Sequence, residues 1–194
     1  MTTVYLARHG QSDWNAANRF QGHSDRPLTE LGRRQAAALA EELESQEPLS
    51  AIYASPLRRA LETASIVGAR LGLEPVPVDD LREVDVGGWS GLSRNEVEER
   101  FPDAFRRWLD GGEGWEDGET YADMATRVME ALRLIAENHP EDTVLVVSHG
   151  GPIRAIHAIA AGMDVHEYRR LNRVEGNADV SRVAVEGGTI SRLD

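Results

Sequence analysis

The feature that most restricts the fold of this chain is a pair of short apolar segments, each followed by a histidine and a glycine. Val4–Ala7 leads into Arg8-His9-Gly10, and Val144–Val147 leads into Ser148-His149-Gly150. Each apolar segment has the length and composition of one buried strand. Open α/β sheets bind ligands at the carboxyl ends of their strands, so both histidines are candidates for a site there.

Two further strands are predicted to end beside polar groups. Ala51–Ala54 precedes Ser55-Pro56-Leu57-Arg58-Arg59, and Pro75–Val78 precedes a loop that holds Glu83. We expect Ser55 to cap the next helix, with Pro56 at its first position. Arg58 would then lie in the first turn, where backbone N–H groups favour anions, and Arg59 would lie in solvent.

The alternation of strand and helix patterns predicts an α/β fold. We expect a three-layer sandwich with a mainly parallel sheet, helices on both faces and a terminal hairpin near residues 179–193. Residues 84–118 differ in composition, because glycine and tryptophan are frequent there. We predict a single domain, 1–194, in which this segment is a lid insertion over the carboxyl ends of the strands.

Several motifs occur together in order along the chain. They are Arg8-His9-Gly10 with Ser12, Trp14 and Asn15, then Leu28-Thr29-Glu30-Leu31-Gly32, Ser55-Pro56-Leu57, Glu83, and Ser148-His149-Gly150-Gly151. This set resembles the histidine phosphatase superfamily, the phosphoglycerate mutase-like enzymes. The resemblance runs from residue 3 to about residue 160. It implies a metal-independent phosphomonoesterase that hydrolyses a small phosphorylated metabolite.

The resemblance also implies a role for each site residue. His9 would be the nucleophile and would form a phosphohistidine, and Glu83, with Asp85 as its nearest rival, would be a general acid with a raised pKa. Arg8 and Arg58 would supply planar guanidinium groups to the phosphoryl oxygens, and His149 would add a hydrogen-bond donor. The further phosphate contacts would come from Asn15, Gln21, Gly22 and Gly150. No metal or cofactor is expected.

Trp89, Trp108 and Trp115 would pack within the lid, and Glu119 would lie on a solvated rim.

Composition excludes several other classes of protein. The chain has 194 residues, no cysteine and a net charge of −12, which opposes nucleic-acid binding and leaves no thiol chemistry. No stretch approaches the roughly 18 apolar residues of a membrane span, and Met1 leads almost directly into a strand, so we expect no membrane partner and no signal peptide. These features favour the cytoplasm and are compatible with a homodimer.

Two other functions stay open on the sequence. A cofactor-dependent phosphoglycerate mutase shares these motifs, although Val84-Asp85-Val86 follows Glu83 here, whereas the mutases carry Arg-His-Tyr. A phosphate-binding protein without turnover is the second alternative. The identity of the substrate is also open among sugar phosphates, phosphoglycerates, glucosyl-phosphoglycerate and α-ribazole phosphate.

Overall fold

The computed structural model describes residues 1–193, which contain six strands in one central sheet. The strands are β1 (Thr2–Arg8), β2 (Ala51–Ala54), β3 (Pro75–Pro77), β4 (Thr143–Ser148), β5 (Val180–Glu186) and β6 (Thr189–Arg192). Their spatial order is β3-β2-β4-β1-β5-β6. The first four are parallel to one another, whereas β5 and β6 form an antiparallel hairpin at the edge next to β1.

Eight α-helices surround this sheet within the described residues. They are α1 (Asp13–Ala16), α2 (Glu30–Glu44), α3 (Arg58–Leu71), α4 (Arg94–Arg100), α5 (Pro102–Leu109), α6 (Tyr121–Asn138), α7 (Gly150–Ala160) and α8 (Val165–Leu171). Two single 3₁₀ turns, Asp79–Leu81 and Gly87–Trp89, precede α4. In this part of the chain, no helix combines the length and the apolarity that crossing a bilayer requires.

The alternation of side chains along β1 divides the core into two layers. Val4 and Leu6 pack on the face covered by α6 and α7, whereas Tyr5 and Ala7 pack against α2 and α3 on the other face. This period of two residues is what a strand buried on both faces requires. The predicted three-layer α/β fold is confirmed.

Local residues explain where α2 begins and where α3 ends, whereas the predicted start of α3 is wrong. Thr29 caps α2, since its hydroxyl accepts a hydrogen bond from the Gly32 N–H at 3.0 Å. Gly72 follows α3 with a positive φ of 73°. The predicted cap of α3 is wrong, because that helix begins at Arg58 and Ser55 lies outside it. The Ser55 hydroxyl is instead a partner of His149.

Residues 84–118, which we call the lid segment, contain the second 3₁₀ turn, α4 and α5. Their centre is Trp89, whose ring lies 5.7 Å from that of Trp115 and 6.2 Å from that of Trp108. These tryptophans therefore pack as predicted. The function of the segment as a lid stays a prediction.

Candidate active site

The carboxyl ends of β1, β2 and β4 meet at a cavity of about 200 Å³. Arg8 and Ser148 are paired in the register of β1 and β4, so the histidine that follows each strand leaves the sheet beside the other. The two imidazole rings lie 5.1 Å apart in an edge-on arrangement. The predicted meeting of the two strand ends is thus present in the structure.

The His9 side chain is held with one nitrogen bound and the other available. Its Nδ1 lies 2.7 Å from the Gly10 carbonyl oxygen, and a carbonyl can only accept, so Nδ1 carries the proton. The lone pair is therefore on Nε2. Burial lowers the pKa of His9 well below its ordinary value, and the neighbouring cations Arg59 and Arg8 lower it further. The imidazole is consequently neutral at physiological pH, as a nucleophile must be.

Close packing explains why glycine follows His9. A Cβ at Gly10 would lie 2.4 Å from the Gly32 carbonyl oxygen, at the start of α2. The Gly10 N–H donates to the Thr63 hydroxyl on α3 at 3.0 Å. The turn after β1 is therefore clamped between two helices, which fixes the direction of the His9 ring.

The arginine that α3 contributes to the cavity is Arg59, and the prediction of Arg58 is wrong. Arg58 is exposed and does not line the cavity, whereas the Arg59 side chain is completely buried and does. The reason is helical periodicity. Arg59 lies four residues before Thr63, on the buried face of α3, and Arg58 lies on the neighbouring exposed face.

The backbone around the first motif holds the Arg59 guanidinium in place. Nη1 donates to the Ser24 carbonyl at 2.8 Å, and Nη2 donates to the Gly22 carbonyl at 2.9 Å. Burial lowers the pKa of Arg59 to about 10, although the carboxylates of Glu83 and Asp25 oppose this shift. The group is still a cation at neutral pH, next to the His9 ring.

His149 lies next to Arg59 and His9 and is completely buried. Arg59 Nε donates to its Nδ1 at 3.2 Å, so the proton of the neutral ring is on Nε2, which donates to the Ser55 hydroxyl at 2.7 Å. Burial lowers the pKa of His149 well below its ordinary value, with Arg59 as the next cause. Both ring nitrogens thus have protein partners, and a direct contact of His149 with phosphate stays a prediction.

Arg8 and two amides line the same cavity. Arg8 is half-buried, and its Nη1 donates to the Glu175 carbonyl. The Asn15 Oδ1 atom accepts from the Ser12 N–H at 3.1 Å, and the Gln21 Oε1 atom accepts from the Ser12 hydroxyl at 2.7 Å. Both side-chain oxygens are thus engaged, which leaves the NH₂ groups of the two amides as the donors for a ligand.

The backbone glycines predicted to contact phosphate differ in position. Gly22 lines the cavity with a positive φ of 50°. Gly150 begins α7, lies against Val174 and Arg8, and does not line the cavity, whereas its neighbour Gly151 does.

Glu83 enters the cavity from the loop that follows β3. One carboxylate oxygen, Oε1, accepts from the backbone N–H groups of Gly151 and Val84, both at 3.0 Å. The carboxylate is close enough to Arg8 and Arg59 to influence the pKa of each, although burial is the largest effect on both. Asp85 does not line the cavity. The geometry therefore favours Glu83 over Asp85 as the acid.

The structure adds a support for Glu83 that the sequence analysis missed. Arg127, on α6, donates from Nη2 to the Glu83 carbonyl at 2.9 Å and from Nη1 to the Arg82 carbonyl at 2.9 Å. Its Nε lies 2.6 Å from a carboxylate oxygen of Glu119. The prediction that Glu119 lies on a solvated rim is wrong, because its side chain is only 18% exposed. The His23 ring contacts the same Glu83 carbonyl through Nε2 at 2.7 Å.

Positive charge in the cavity comes from arginine. Within residues 1–193, no three His, Asp or Glu side chains are placed to hold a metal ion together. The lid segment and α7 add two arginines to the lining that no motif pointed to, Arg94 and Arg154. An arrangement of guanidinium groups around a neutral imidazole is suited to phosphoryl transfer, in which positioning and charge stabilisation dominate.

Comparison with known proteins points to the same chemistry. Residues 4–193 match the family model of the histidine phosphatase superfamily, branch 1. The chain is 39% identical over 170 residues to phosphoserine phosphatase 1 of Hydrogenobacter thermophilus, covering 87% of this chain and 80% of that protein. It is 38% identical over 194 residues to glucosyl-3-phosphoglycerate phosphatase of Mycolicibacterium vanbaalenii, covering 93% and 83%. The solved structure of Bacillus stearothermophilus YhfR is similar with a TM-score of 0.92 and 34% identity, covering 100% of this chain and 96% of that one.

Proposed function

Because the chain belongs to the histidine phosphatase superfamily, we propose that it hydrolyses phosphomonoesters of small metabolites through a phosphohistidine on His9. The observation that carries this proposal is the state of the His9 ring: it is neutral, its Nδ1 is bound to Gly10, and the Nε2 lone pair lies beside two arginines. The relatives named for phosphoserine and glucosyl-3-phosphoglycerate support a small phosphorylated substrate.

In the first step, His9 Nε2 attacks phosphorus, and the bond between phosphorus and the alcohol oxygen breaks. Arg8 and Arg59 neutralise charge on the phosphoryl oxygens, and the Glu83 carboxyl group donates its proton to the leaving oxygen. In the second step, the Glu83 carboxylate takes a proton from water while the water oxygen bonds to phosphorus. The bond between phosphorus and Nε2 then breaks, which releases inorganic phosphate and restores the free enzyme.

Neither step of this reaction needs a metal ion, because arginine side chains supply the positive charge. We expect turnover to survive dialysis against EDTA. Loss of activity in EDTA that a divalent cation restores would contradict this part of the proposal.

The test of the covalent step is to trap the intermediate. Brief exposure to a ³²P-labelled phosphomonoester followed by alkaline denaturation should leave label on the wild-type protein, because phosphohistidine survives alkali and not acid. His9→Ala should carry no label, whereas His166→Gln, a change outside the cavity, should label as the wild type does. Label that persists in His9→Ala would overturn the assignment.

Location and assembly stay predictions of the sequence. We propose a cytoplasmic enzyme, and its sequence is compatible with a homodimer. Light scattering on the purified chain would check its oligomeric state.

A further inference from the structure

The connection between α8 and β5 is in contact with the end of β1, although none of the motifs that identified the site lies there. The Arg8 N–H donates to the Asp179 carbonyl at 3.1 Å, and the Ala178 N–H donates to the Arg8 carbonyl at 3.0 Å. The Arg8 side chain donates to the Glu175 carbonyl. Residues 175–179 therefore hold both the main chain and the side chain of an arginine of the site.

Ala178 has a backbone conformation that few residues with a side chain adopt. Its φ is 63°, in the left-handed region that favours glycine. In this conformation its N–H is shared between the carbonyls of Arg8 and His9, at 3.0 and 3.3 Å. Backbone strain of this kind persists only where the surrounding contacts enforce it, and it is concentrated at functional sites. The conformation of residues 175–179 is thus matched to the turn that carries His9.

Asn177, the residue before Ala178, uses both hydrogens of its side-chain amide. Its Nδ2 donates to the His9 carbonyl at 3.0 Å and to the Asn15 Oδ1 atom at 3.2 Å. A main-chain carbonyl can only accept, so the NH₂ group of Asn177 must face this way. Asn177 lines a wider cavity of about 750 Å³, which Asn15 lines as well, and does not line the inner cavity beside the His9 ring. Its NH₂ group therefore has no hydrogen left for a phosphoryl oxygen.

The bond from Asn177 determines which end of the Asn15 amide is available to a ligand. Two donors meet at Asn15 Oδ1, the Ser12 N–H at 3.1 Å and the Asn177 NH₂ group. The Ser12 hydroxyl also lies 3.1 Å from this oxygen, but its proton is engaged by Gln21 Oε1 at 2.7 Å. A reversed Asn15 amide would place a partly negative oxygen against a phosphoryl oxygen, and like charges repel. Asn177 is thus one of the two groups that keep the Asn15 NH₂ free for phosphate.

We propose that Asn177 is a positioning residue for phosphoryl transfer and that it acts through Asn15. The bond to the His9 carbonyl anchors the Asn177 amide to the turn that carries the nucleophile. The bond to Asn15 then directs the Asn15 NH₂ group toward the phosphoryl oxygens. A donor oriented in advance needs no reorganisation in the transition state. This inference rests on the phosphomonoesterase function proposed above.

The first test is the rate of phosphohistidine formation from p-nitrophenyl phosphate at saturation. Asn177→Ala should lower this rate by roughly 10–100-fold, because small displacements of a group that contacts the reacting centre are costly. The matched control is Asn172→Ala. Asn172 Nδ2 also donates to a main-chain carbonyl, that of Tyr168 at 3.1 Å, and Asn172 lines neither cavity. This control should react at the wild-type rate. An Asn177 variant as fast as the wild type would overturn the inference.

A double variant separates positioning from a general effect on the fold. If Asn177 acts through Asn15, Asn177→Ala should cost less than about twofold once Asn15 has been replaced by alanine. A loss in the Asn15→Ala background as large as the loss in the wild type would show that Asn177 acts by another route, which would overturn the inference.

Inorganic phosphate gives a readout that needs no turnover. The side-chain NH₂ signals of Asn15 in a ¹⁵N NMR spectrum are assigned by their absence in Asn15→Ala. Phosphate should shift these signals in the wild type and should shift them far less in Asn177→Ala. Equal shifts in the two proteins, or no shift in either, would overturn the inference. If the shifts are as expected and the wild type forms no phosphohistidine, only the phosphomonoesterase function has failed.

Discussion

The floor of the cavity and the lid segment achieve order by different means. The floor is formed by Arg8, His9 and Arg59, with the buried His149 behind them. Hydrogen bonds to backbone carbonyls and among these side chains fix their positions. The lid segment is ordered by contacts between aromatic rings around Trp89. Hydrogen bonds fix both distance and direction, whereas apolar contacts are not directional. We therefore expect the floor to determine the rate of the reaction and the lid segment to determine how the substrate is bound.

The largest effect is expected at the acid, because its loss penalises a poor leaving group. Glu83→Gln should slow phosphohistidine formation from an alkyl phosphate by roughly 10²–10⁴-fold. p-Nitrophenolate needs little protonation to leave, so the same step with p-nitrophenyl phosphate should slow much less. The measurement is single-turnover labelling of the protein with both substrates.

A matched variant controls this prediction. Asp85→Asn changes the rival carboxylate on the same loop and should leave both rates close to those of the wild type. If Glu83→Gln slows both substrates by one factor, Glu83 does not protonate the leaving oxygen.

The next effect concerns two adjacent arginines in α3. Arg59→Ala removes a buried cation beside His9 and should lower kcat/KM by roughly 10²–10³-fold with any leaving group. Arg58→Ala removes an exposed cation and should change kcat/KM by less than about twofold. Steady-state kinetics with p-nitrophenyl phosphate measures both. A larger loss in the Arg58 variant would show that the burial of Arg59 does not reflect function.

A smaller effect is expected from the support of the Glu83 loop. Arg127→Gln should lower the single-turnover rate with an alkyl phosphate by roughly 10–100-fold, because small displacements of a catalytic group are costly. The loss with p-nitrophenyl phosphate should be smaller, in the pattern of Glu83→Gln. A uniform loss with both substrates would mean that Arg127 stabilises the fold without positioning the acid.

The same helix offers the control for this variant. Arg133 lies on the exposed side of α6 and pairs with Glu130 at 2.6 Å. Arg133→Gln should leave the rates with both leaving groups at the wild-type level.

A substitution in the lid segment tests the other half of the comparison. A Cβ at Gly114 would lie 1.9 Å from a ring carbon of Trp89, so Gly114→Ala forces the aromatic cluster to repack. We expect the free energy of unfolding to fall by about 1–3 kcal/mol. KM for p-nitrophenyl phosphate should rise by about tenfold, with little change in the rate of phosphohistidine formation at saturation.

Gly88→Ala is the control in the same segment. A Cβ there would meet Asp117 no closer than 3.5 Å. The free energy of unfolding of Gly88→Ala in urea and its KM in steady-state kinetics should both be close to those of the wild type. If Gly114→Ala instead lowers the rate of phosphohistidine formation at saturating substrate as much as Arg59→Ala does, the floor and the lid segment do not have separate roles.

The smallest expected effect concerns the histidines at the floor of the cavity and is the dependence of the free energy of unfolding on pH. Burial, then the nearby arginines, lowers the pKa of His9 and of His149 in the folded protein, whereas both are ordinary in the unfolded chain. The unfolded chain therefore binds more protons below about pH 6.5, and stability is lost as the pH falls through that value. Each histidine should contribute a slope of about 1.4 kcal/mol per pH unit in acid.

Urea unfolding between pH 7 and pH 5.5 measures this slope. His9→Asn removes one of the two titrating groups and should reduce the mean slope over this range by about 0.8 kcal/mol per pH unit, because the unfolded imidazole is only partly protonated there. An unchanged slope would mean that His9 is protonated in the folded protein.

The sequence alone was sufficient to predict the layers of the fold and the two histidines. Strand and helix periods are local properties, and a histidine placed directly after a strand must lie at the end of the sheet. His9 and His149 are therefore identified by their distance from a strand, whereas Glu83 was chosen among the carboxylates of its loop by the family resemblance. The choice between Arg58 and Arg59 was not settled this way, because adjacent residues on a helix face directions that differ by about 100°. The apolar pattern of Ala60, Ala64 and Val67 on α3 was the signal that could have identified the buried one.

Only the tertiary structure showed which distant groups meet at the cavity. Arg127 lies 44 residues from Glu83 along the chain, yet it donates to that residue's carbonyl. Ser55 became a partner of His149 instead of a helix cap, because the hydroxyl and the ring are brought together by strands 94 residues apart in sequence. Pairings of this kind depend on the packing of whole elements, so no local pattern predicts them.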